Sequence, residues 1–130
     1  MAFLHDQPLD PGALLAAHAD ASHGGLVVFV GRVRDEHQGR RAEALEYSAY
    51  PAMAEAVARA IVEEAEERWP VRVSAAHRTG YLSVGEIAVV VVTSGGHRDE
   101  CYAANRWLID SLKARVPIWK CEHFVGGERA

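Results

Sequence analysis

The sequence predicts a single α+β domain in which two main helices and a short N-terminal helix pack on a mixed or antiparallel sheet. Three observations predict this class: continuous runs of β-branched residues, two long segments with apolar residues at helical spacing, and turn residues between these segments. Of the 130 residues, 49% are hydrophobic and 25% are charged, which is the composition of an ordinary globular protein. One domain over residues 1–130 is therefore expected.

The first third of the chain predicts a short helix, a strand and a loop. Asp10 can cap a helix that begins at Pro11, and Gly24-Gly25 stops this helix. The apolar run 26–30 predicts a strand that is buried on both faces. The polar residues 35–41 predict a loop after that strand.

A second strand and a long helix follow. Apolar and polar residues alternate over 42–50, which predicts a strand with one face in water, and Pro51 then starts a helix over 52–69. Apolar residues recur every four positions along this helix, and charged residues at i,i+4 spacing predict ion pairs on its outer side. The expected apolar stripe is Met53, Val57, Ile61 and Ala65, and the expected pairs are Glu55–Arg59 and Glu64–Arg68.

The second half of the chain predicts three more strands and a third helix. Residues 87–92 are all apolar, so their strand is expected at the centre of the sheet. Pro117 ends the third helix, because a residue that precedes proline avoids helical geometry. Both long helices are expected to cover one face of the sheet. The predicted elements are strands over 71–78, 86–94 and 118–124 and a helix over 98–115.

Charge, cysteine content and hydropathy exclude several classes of protein. The chain has 18 acidic and 14 basic residues and a formal net charge of -4, which argues against a general affinity for nucleic acid. Its two cysteines, Cys101 and Cys121, show no CxxC spacing and indicate reduced thiols in the cytoplasm. No apolar run approaches the length of a membrane-spanning helix, so no membrane association is expected.

The two lysines of the chain are the first candidate site residues. Twelve of the 14 basic residues are arginine, and the other two are Lys113 and Lys120, on either side of Pro117. A chain reversal at this proline can bring both amines to one pocket, and an amine can lose its proton where a guanidinium cannot. The alternative is two solvated lysines, with Lys113 interacting with the carbonyls at the end of its helix.

Two further segments predict anion-binding groups. Arg32 and Arg34 follow a strand at i,i+2 spacing, which suits a phosphate or carboxylate, although local pairing with the neighbouring acids is an equal alternative. His97 and Arg98 follow two glycines at the start of the third helix, where free N–H groups favour an anion. The alternative there is an ordinary capped turn with Arg98 in water. The seven histidines form neither an HxH nor an HExxH spacing, so no metal site is predicted.

Five motifs between Gly24 and Phe124 point together to one family. They are the segments 29–34 (FVGRVR), 46–53 (EYSAYPAM), 77–80 (HRTG), 97–98 (HR) and 112–120 (LKARVPIWK). In combination they resemble the large, catalytic subunit of molybdopterin synthase. The resemblance implies an α/β hammerhead fold and a homodimer that binds one small ubiquitin-like sulfur-carrier subunit at each end, giving a heterotetramer.

The resemblance also implies an activity and a set of site residues. The Gly-Gly thiocarboxylate of the carrier would supply the sulfur that converts cyclic pyranopterin monophosphate into the dithiolene of molybdopterin, with no cofactor. Lys113 and Lys120 would be catalytic, as proton acceptor, proton donor and positive charge, with Lys113 the essential lysine, and the arginines and His97 would hold the phosphate. The implied substrate-binding residues are Arg32, Val33, Arg34, His97, Arg98, Lys113, Lys120, Cys121 and Glu122.

Two other functions remain as alternatives. A non-catalytic adaptor could bind a ubiquitin-like tail or a phosphorylated metabolite through the same basic pocket, and it would release no sulfur. A ferredoxin-like RNA-binding module would need exposed aromatic residues on its sheet and a basic face, and the sequence offers neither clearly.

Overall fold

The computed structural model describes residues 2–130, which form eight strands and three helices. Their order is β1 (Leu4–His5), α1 (Pro11–Ala16), β2 (Gly25–Arg32), β3 (Glu36–His37), β4 (Arg40–Ala49), α2 (Pro51–Arg68), β5 (Val71–Arg78), β6 (Gly80–Ser83), β7 (Ile87–Gly95), α3 (Arg98–Arg115) and β8 (Ile118–Phe124).

The strands form two sheets. The first has the order β1-β5-β7-β2, in which β1 and β5 are parallel and the other pairs are antiparallel. The second is built around β4, which pairs antiparallel with β3, β6 and β8. The mixed sheet and the three helices confirm the predicted α+β class.

The core lies on both faces of the first sheet. Helices α2 and α3 cover one face, where Ile61, Val91 and Leu108 are fully buried together. Leu14 of α1 packs on the opposite face against Val90. Strand β7 therefore lies at the centre of this sheet with both of its faces covered, as its apolar sequence predicts.

Strand β2 differs from its prediction, because it is only half buried. Leu26, Phe29 and Val30 are 43%, 36% and 38% exposed. The reason is topological: β2 pairs with β7 on one side, and no described strand pairs with its other side. The prediction of burial on both faces is therefore wrong for a single copy of the chain.

Helix α2 buries the second half of the predicted apolar stripe but not its start. Met53 is 58% exposed, whereas Ala54 and Ala58 are buried along with Ile61 and Ala65. A strict four-residue repeat advances by 400° and drifts around a helix, whereas the observed 4-3-4 spacing stays on one face.

The charged residues of α2 also find other partners than those predicted. The Glu55 carboxylate accepts hydrogen bonds from the backbone N–H groups of Phe3 (2.7 Å) and Leu4 (2.9 Å). Glu64 pairs with Arg115 of α3 at 2.7 Å. These contacts replace the predicted i,i+4 pairs and join α2 to β1 and to α3.

Two short strands were not predicted. Residues 35–41 contain the hairpin of β3 and β4, whose turn at Gln38 and Gly39 has positive φ values of 52° and 79°. Strand β6, which lies between β5 and β7 in the sequence, pairs with β4 and so belongs to the second sheet. Each carries too few residues to produce a recognisable alternation of apolar and polar side chains.

Candidate active site

A cavity of about 380 Å³ lies between the two sheets, beside the C-terminal end of α3. Five strands, α3 and the N-terminal segment contribute to its wall, which combines apolar side chains with a few polar ones. The lining residues are Phe3, Phe29, Gly31, Arg32, Tyr47, His77, Ala88, Val89, Ile109, Leu112, Lys113, Val116, Ile118 and Lys120.

The bend at Pro117 brings the two lysines to this cavity. Val116 has extended geometry (φ −77°, ψ 129°), so α3 ends there and the chain reverses into β8. Lys113 lies in the last turn of α3, and Lys120 lies opposite Tyr47 in the pairing of β8 with β4. Both lysines line the cavity.

Arg32 adds a third cation to the same wall. It is the last residue of β2, beside a shift in the pairing register at Gly31. A Cβ atom at Gly31 would lie 2.7 Å from Cγ1 of Val89, so this close approach of the two strands requires glycine. The three cations have no carboxylate beside them in the cavity lining, so the cavity attracts anions.

His77 and Tyr47 form the neutral polar part of the cavity wall. Their rings meet edge to face, with centroids 4.8 Å apart. Burial lowers the pKa of His77, whereas burial and the nearby charge of Glu122 raise the pKa of Tyr47. Neither was among the predicted site residues, although both belong to motifs of the family that the sequence resembles.

His97 and Arg98 lie at the other end of α3. They line a shallow depression together with Gly24, Gly25, Gly96 and Asp99. Fifteen residues separate Arg98 from Lys113, which corresponds to roughly 22 Å along the helix. The structure therefore does not bring these two predicted anion-binding residues to the lysine cavity of the same copy.

The other four predicted residues line neither the cavity nor the depression. Val33 is 3% exposed in the core, and its N–H and carbonyl bond to Glu86 and Gly85, so we interpret it as a packing residue. Arg34 is exposed beyond the end of β2. Cys121 lies on the face of β8 opposite to Lys120, and the buried Glu122 pairs with Nδ1 of His37 at 3.2 Å.

Two further properties of residues 2–130 concern metals and membranes. No group of three or more histidine, cysteine or acidic side chains is arranged there to hold a metal ion. None of the helices in the same range combines the length and the apolarity needed to cross a bilayer.

The sequence of the chain matches a family model described as MoaE protein, over residues 4–115. The chain belongs to the MoaE family. Of the three cavity cations, Arg32 and Lys113 lie within the matched range, and Lys120 follows its end.

Relatives and solved structures of similar sequence agree with membership of the MoaE family. Molybdopterin synthase catalytic subunit 1 of Mycobacterium tuberculosis is 45% identical over 120 residues, which cover 92% of this chain and 82% of the relative. The X-ray crystal structure of molybdopterin synthase from Staphylococcus aureus superposes with a TM-score of 0.92 at 35% identity, over 99% of this chain and 96% of that one.

The same fold occurs in a solved complex. One chain of the complex of subunits 1 and 2 of molybdopterin-converting factor from Helicobacter pylori matches with a TM-score of 0.80. The match covers 98% of this chain and 86% of that chain at 24% identity, and it shows that the two share the MoaE fold.

Proposed function

We propose that this chain is the catalytic subunit of a molybdopterin synthase. In this proposal it transfers sulfur from the C-terminal thiocarboxylate of a small ubiquitin-like carrier to cyclic pyranopterin monophosphate and so forms the dithiolene of molybdopterin. The observation that carries the proposal is the cavity in which Arg32, Lys113 and Lys120 meet without an acidic side chain. The catalytic-subunit relatives and the family match support the same activity.

The cations suit a reaction between two anions. The thiocarboxylate and the phosphate of the substrate both carry negative charge, so both are attracted to one basic cavity. Lys113 and Lys120 can donate hydrogen bonds to negative charge as it develops at the reacting centre. The end of α3 and the pairing of β8 with β4 fix the backbone positions from which the two side chains reach the cavity.

The proposed sulfur source explains why the cavity needs no cysteine of its own. Cys101 is fully buried, and burial together with the charge of Glu100 raises the pKa of its thiol, which makes it a poor nucleophile. Cys121 lies outside the cavity. Both thiols are free, which supports a reducing compartment, the cytoplasm, as the place of action.

The small carrier subunit is the first proposed partner. A C-terminal tail can enter the cavity, whose volume of about 380 Å³ is in the range of small-ligand sites. The solved Helicobacter pylori complex of two subunits contains a chain of the same fold, which is compatible with such an assembly.

A second copy of the chain is the other proposed partner. The outer edge of β2 exposes Leu26, Phe29 and Val30, and a two-fold pairing along this edge would cover them. Such a pairing is antiparallel, so it would place the start of β2 in one copy beside its end in the other.

This arrangement would complete the anion site. A Cβ atom at Gly25 would lie 3.5 Å from Cα of Arg98, so the start of β2 carries the depression with His97 and Arg98. The end of β2 carries Arg32 and the lysine cavity. We therefore propose that His97 and Arg98 of each copy serve the lysine cavity of the other, where the phosphate of the substrate binds.

Reconstitution tests the proposed function. Purified protein, thiocarboxylated carrier and cyclic pyranopterin monophosphate are expected to yield molybdopterin. The variant Lys113→Ala is expected to lose a factor of about 10² to 10³ in rate, because it removes a positively charged donor from the cavity. Arg106→Ala serves as the control, because Arg106 is exposed on the same helix and lines neither site.

The outcome separates this function from the adaptor. If the chain were an adaptor, the wild type, Lys113→Ala and Arg106→Ala would all bind the carrier, and none of them would release its sulfur. Equal rates for Lys113→Ala and the wild type would refute the role of Lys113.

A further inference from the structure

The imidazole of His77 is held in one tautomer by the backbone. Its Nδ1 lies 2.7 Å from the carbonyl oxygen of Arg78. A carbonyl can only accept a hydrogen bond, so Nδ1 carries the proton and donates it. In the neutral ring the lone pair is then on Nε2. Among residues 2–130, Nε2 has no hydrogen-bond partner. It is also not completely buried, so a solvent molecule can reach it.

Packing fixes this ring in the wall of the lysine cavity. Tyr47 meets it edge to face at 4.8 Å, and the ring of Phe3, in the N-terminal segment just before β1, lies 6.1 Å away. The backbone N–H of His77 donates to the carbonyl of Phe3 at 2.7 Å, which joins β5 to the N-terminal segment. His77 therefore belongs to the same cavity as Lys113 and Lys120.

The groups that face His77 favour its neutral form. Burial lowers its pKa, and this effect exceeds that of the hydrogen bond to the Arg78 carbonyl, which acts in the opposite direction. Its direct neighbours are the rings of Tyr47 and Phe3 and, in the paired strand β7, Val89. Arg32, Lys113 and Lys120 line the same cavity, and the carboxylate of Glu122 lies beyond Tyr47, outside the cavity lining. None of the residues that line the cavity with His77 is acidic.

The proposed sulfur transfer contains a step that needs a base. Once the sulfur of the carrier is bonded to a substrate carbon, it still has to leave the acyl carbon of the tail. A water oxygen bonds to that carbon, the acyl C–S bond breaks, and its electron pair stays with the sulfur as a thiolate on the substrate. The tail departs as a carboxylic acid, which ionises to the carboxylate in solvent. The attacking water has to give up one proton as it bonds.

We infer that Nε2 of His77 accepts this proton, so that His77 is the general base of the cavity. The inference rests on the proposed function. The guanidinium of Arg32 cannot accept a proton, and the raised pKa of Tyr47 keeps its phenol protonated. His77 takes the role of proton acceptor, and Lys113 and Lys120 stabilise the negative charge on the oxygen and the departing sulfur. The imidazolium then returns its proton to solvent or to the thiolate.

The variant His77→Asn tests the inference with little disturbance of the fold. The side-chain amide of asparagine can replace the Nδ1 donor to the Arg78 carbonyl, but it places no atom at the position of Nε2. Single-turnover molybdopterin formation is expected to fall by about 10² to 10⁴, the usual contribution of a general base. The affinity for the carrier is expected to stay unchanged. His5→Asn, on the adjacent strand β1 and outside the cavity lining, is the matched control.

The dependence of the rate on pH distinguishes a base from a structural residue. The wild-type rate is expected to rise with pH along a limb whose midpoint lies below the ordinary histidine value, and this limb is expected to vanish in His77→Asn. In the variant His77→Ala, added imidazole is expected to restore turnover in proportion to its concentration. This rescue also decides the matter if the asparagine variant does not fold.

Three results would overturn the inference alone, and a fourth would overturn the proposed function with it. If His77→Asn turned over at the wild-type rate, His77 would not be the general base, and the proposed function would be unaffected. Retention of the pH limb in that variant, or no response of His77→Ala to imidazole, would lead to the same conclusion. Absence of product with the wild-type protein and its carrier would instead overturn the proposed function, and the inference with it.

Discussion

A dimer that carries two different defects provides the sharpest test of a site shared between copies. One copy carries Lys113→Ala and the other carries Arg98→Ala. The two residues are at opposite ends of α3, roughly 22 Å apart, so a single copy cannot hold one small substrate with both. If each site takes its lysine from one copy and its arginine from the other, a mixed dimer contains one intact site and one site with both defects. Its activity should be about half that of the wild-type dimer.

Co-expression of the two variants with different affinity tags, followed by purification on both, isolates the mixed dimer for the reconstitution assay. Each variant alone is expected to lose a factor of about 10² to 10³. The matched control combines Lys113→Ala with Lys120→Ala, whose defects both lie in the same cavity, and it should recover nothing. A mixed Lys113 and Arg98 dimer that is as inactive as its parents would refute the shared site.

Two further predictions concern stability. Ile61→Ala removes three carbon atoms from a fully buried side chain and should lower the free energy of unfolding by about 3 to 4 kcal/mol, whereas Met53→Ala on the exposed face of the same helix should change it by less than about 0.5 kcal/mol. Urea titrations of both variants check this, and equal losses would contradict the observed face of α2. The second prediction concerns His18, whose two ring nitrogens lie 2.7 Å from Oγ of Ser94 and 2.8 Å from Oγ of Ser74. Burial, then the charges of Arg72 and His23, lower the pKa of His18, so the unfolded chain binds more protons than the folded one. The contribution of His18 to stability should therefore be fully present above the ordinary value of 6.5 and should be lost as the pH falls below it toward the lower pKa of the folded state. In urea titrations at several pH values, His18→Asn should show a shallower decrease, and an unchanged slope would disprove the assignment.

Elements with local signals were predicted accurately. Helix α3 spans 98–115 as expected, because glycines precede it and Pro117 ends it. Strands β5 and β8 also have their predicted bounds. In contrast, an apolar run such as 26–30 indicates that its side chains are buried, but it does not show which part of the protein covers them. The run predicted burial on both faces, whereas the structure shows a sheet edge that a second copy could cover.

The same distinction explains which parts of the site could be predicted. Lys113 and Lys120 are separated by one bend, so their common cavity follows from a local feature of the chain. Arg98 lies at the start of α3 and Lys113 near its end, so they open onto different sites. A sequence motif shows which residues occur together but not which end of a long helix faces a given cavity. His77 has no local signal as a base, because its tautomer depends on a carbonyl geometry and its position depends on a contact with Tyr47 from another sheet.

The distribution of charge shows how an acidic chain can select anionic partners. The formal net charge is -4, yet three cations and no acid line the cavity. Charges on the surface are screened over roughly 8 to 10 Å at physiological ionic strength, so a group inside the cavity experiences mainly the local cations. A narrow anionic tail can enter, and an anion small enough to enter beside it is attracted as well. Under the proposed function, the same local cations attract both the carrier terminus and the small phosphate ester, so the charge of the cavity matters more than the net charge of the chain.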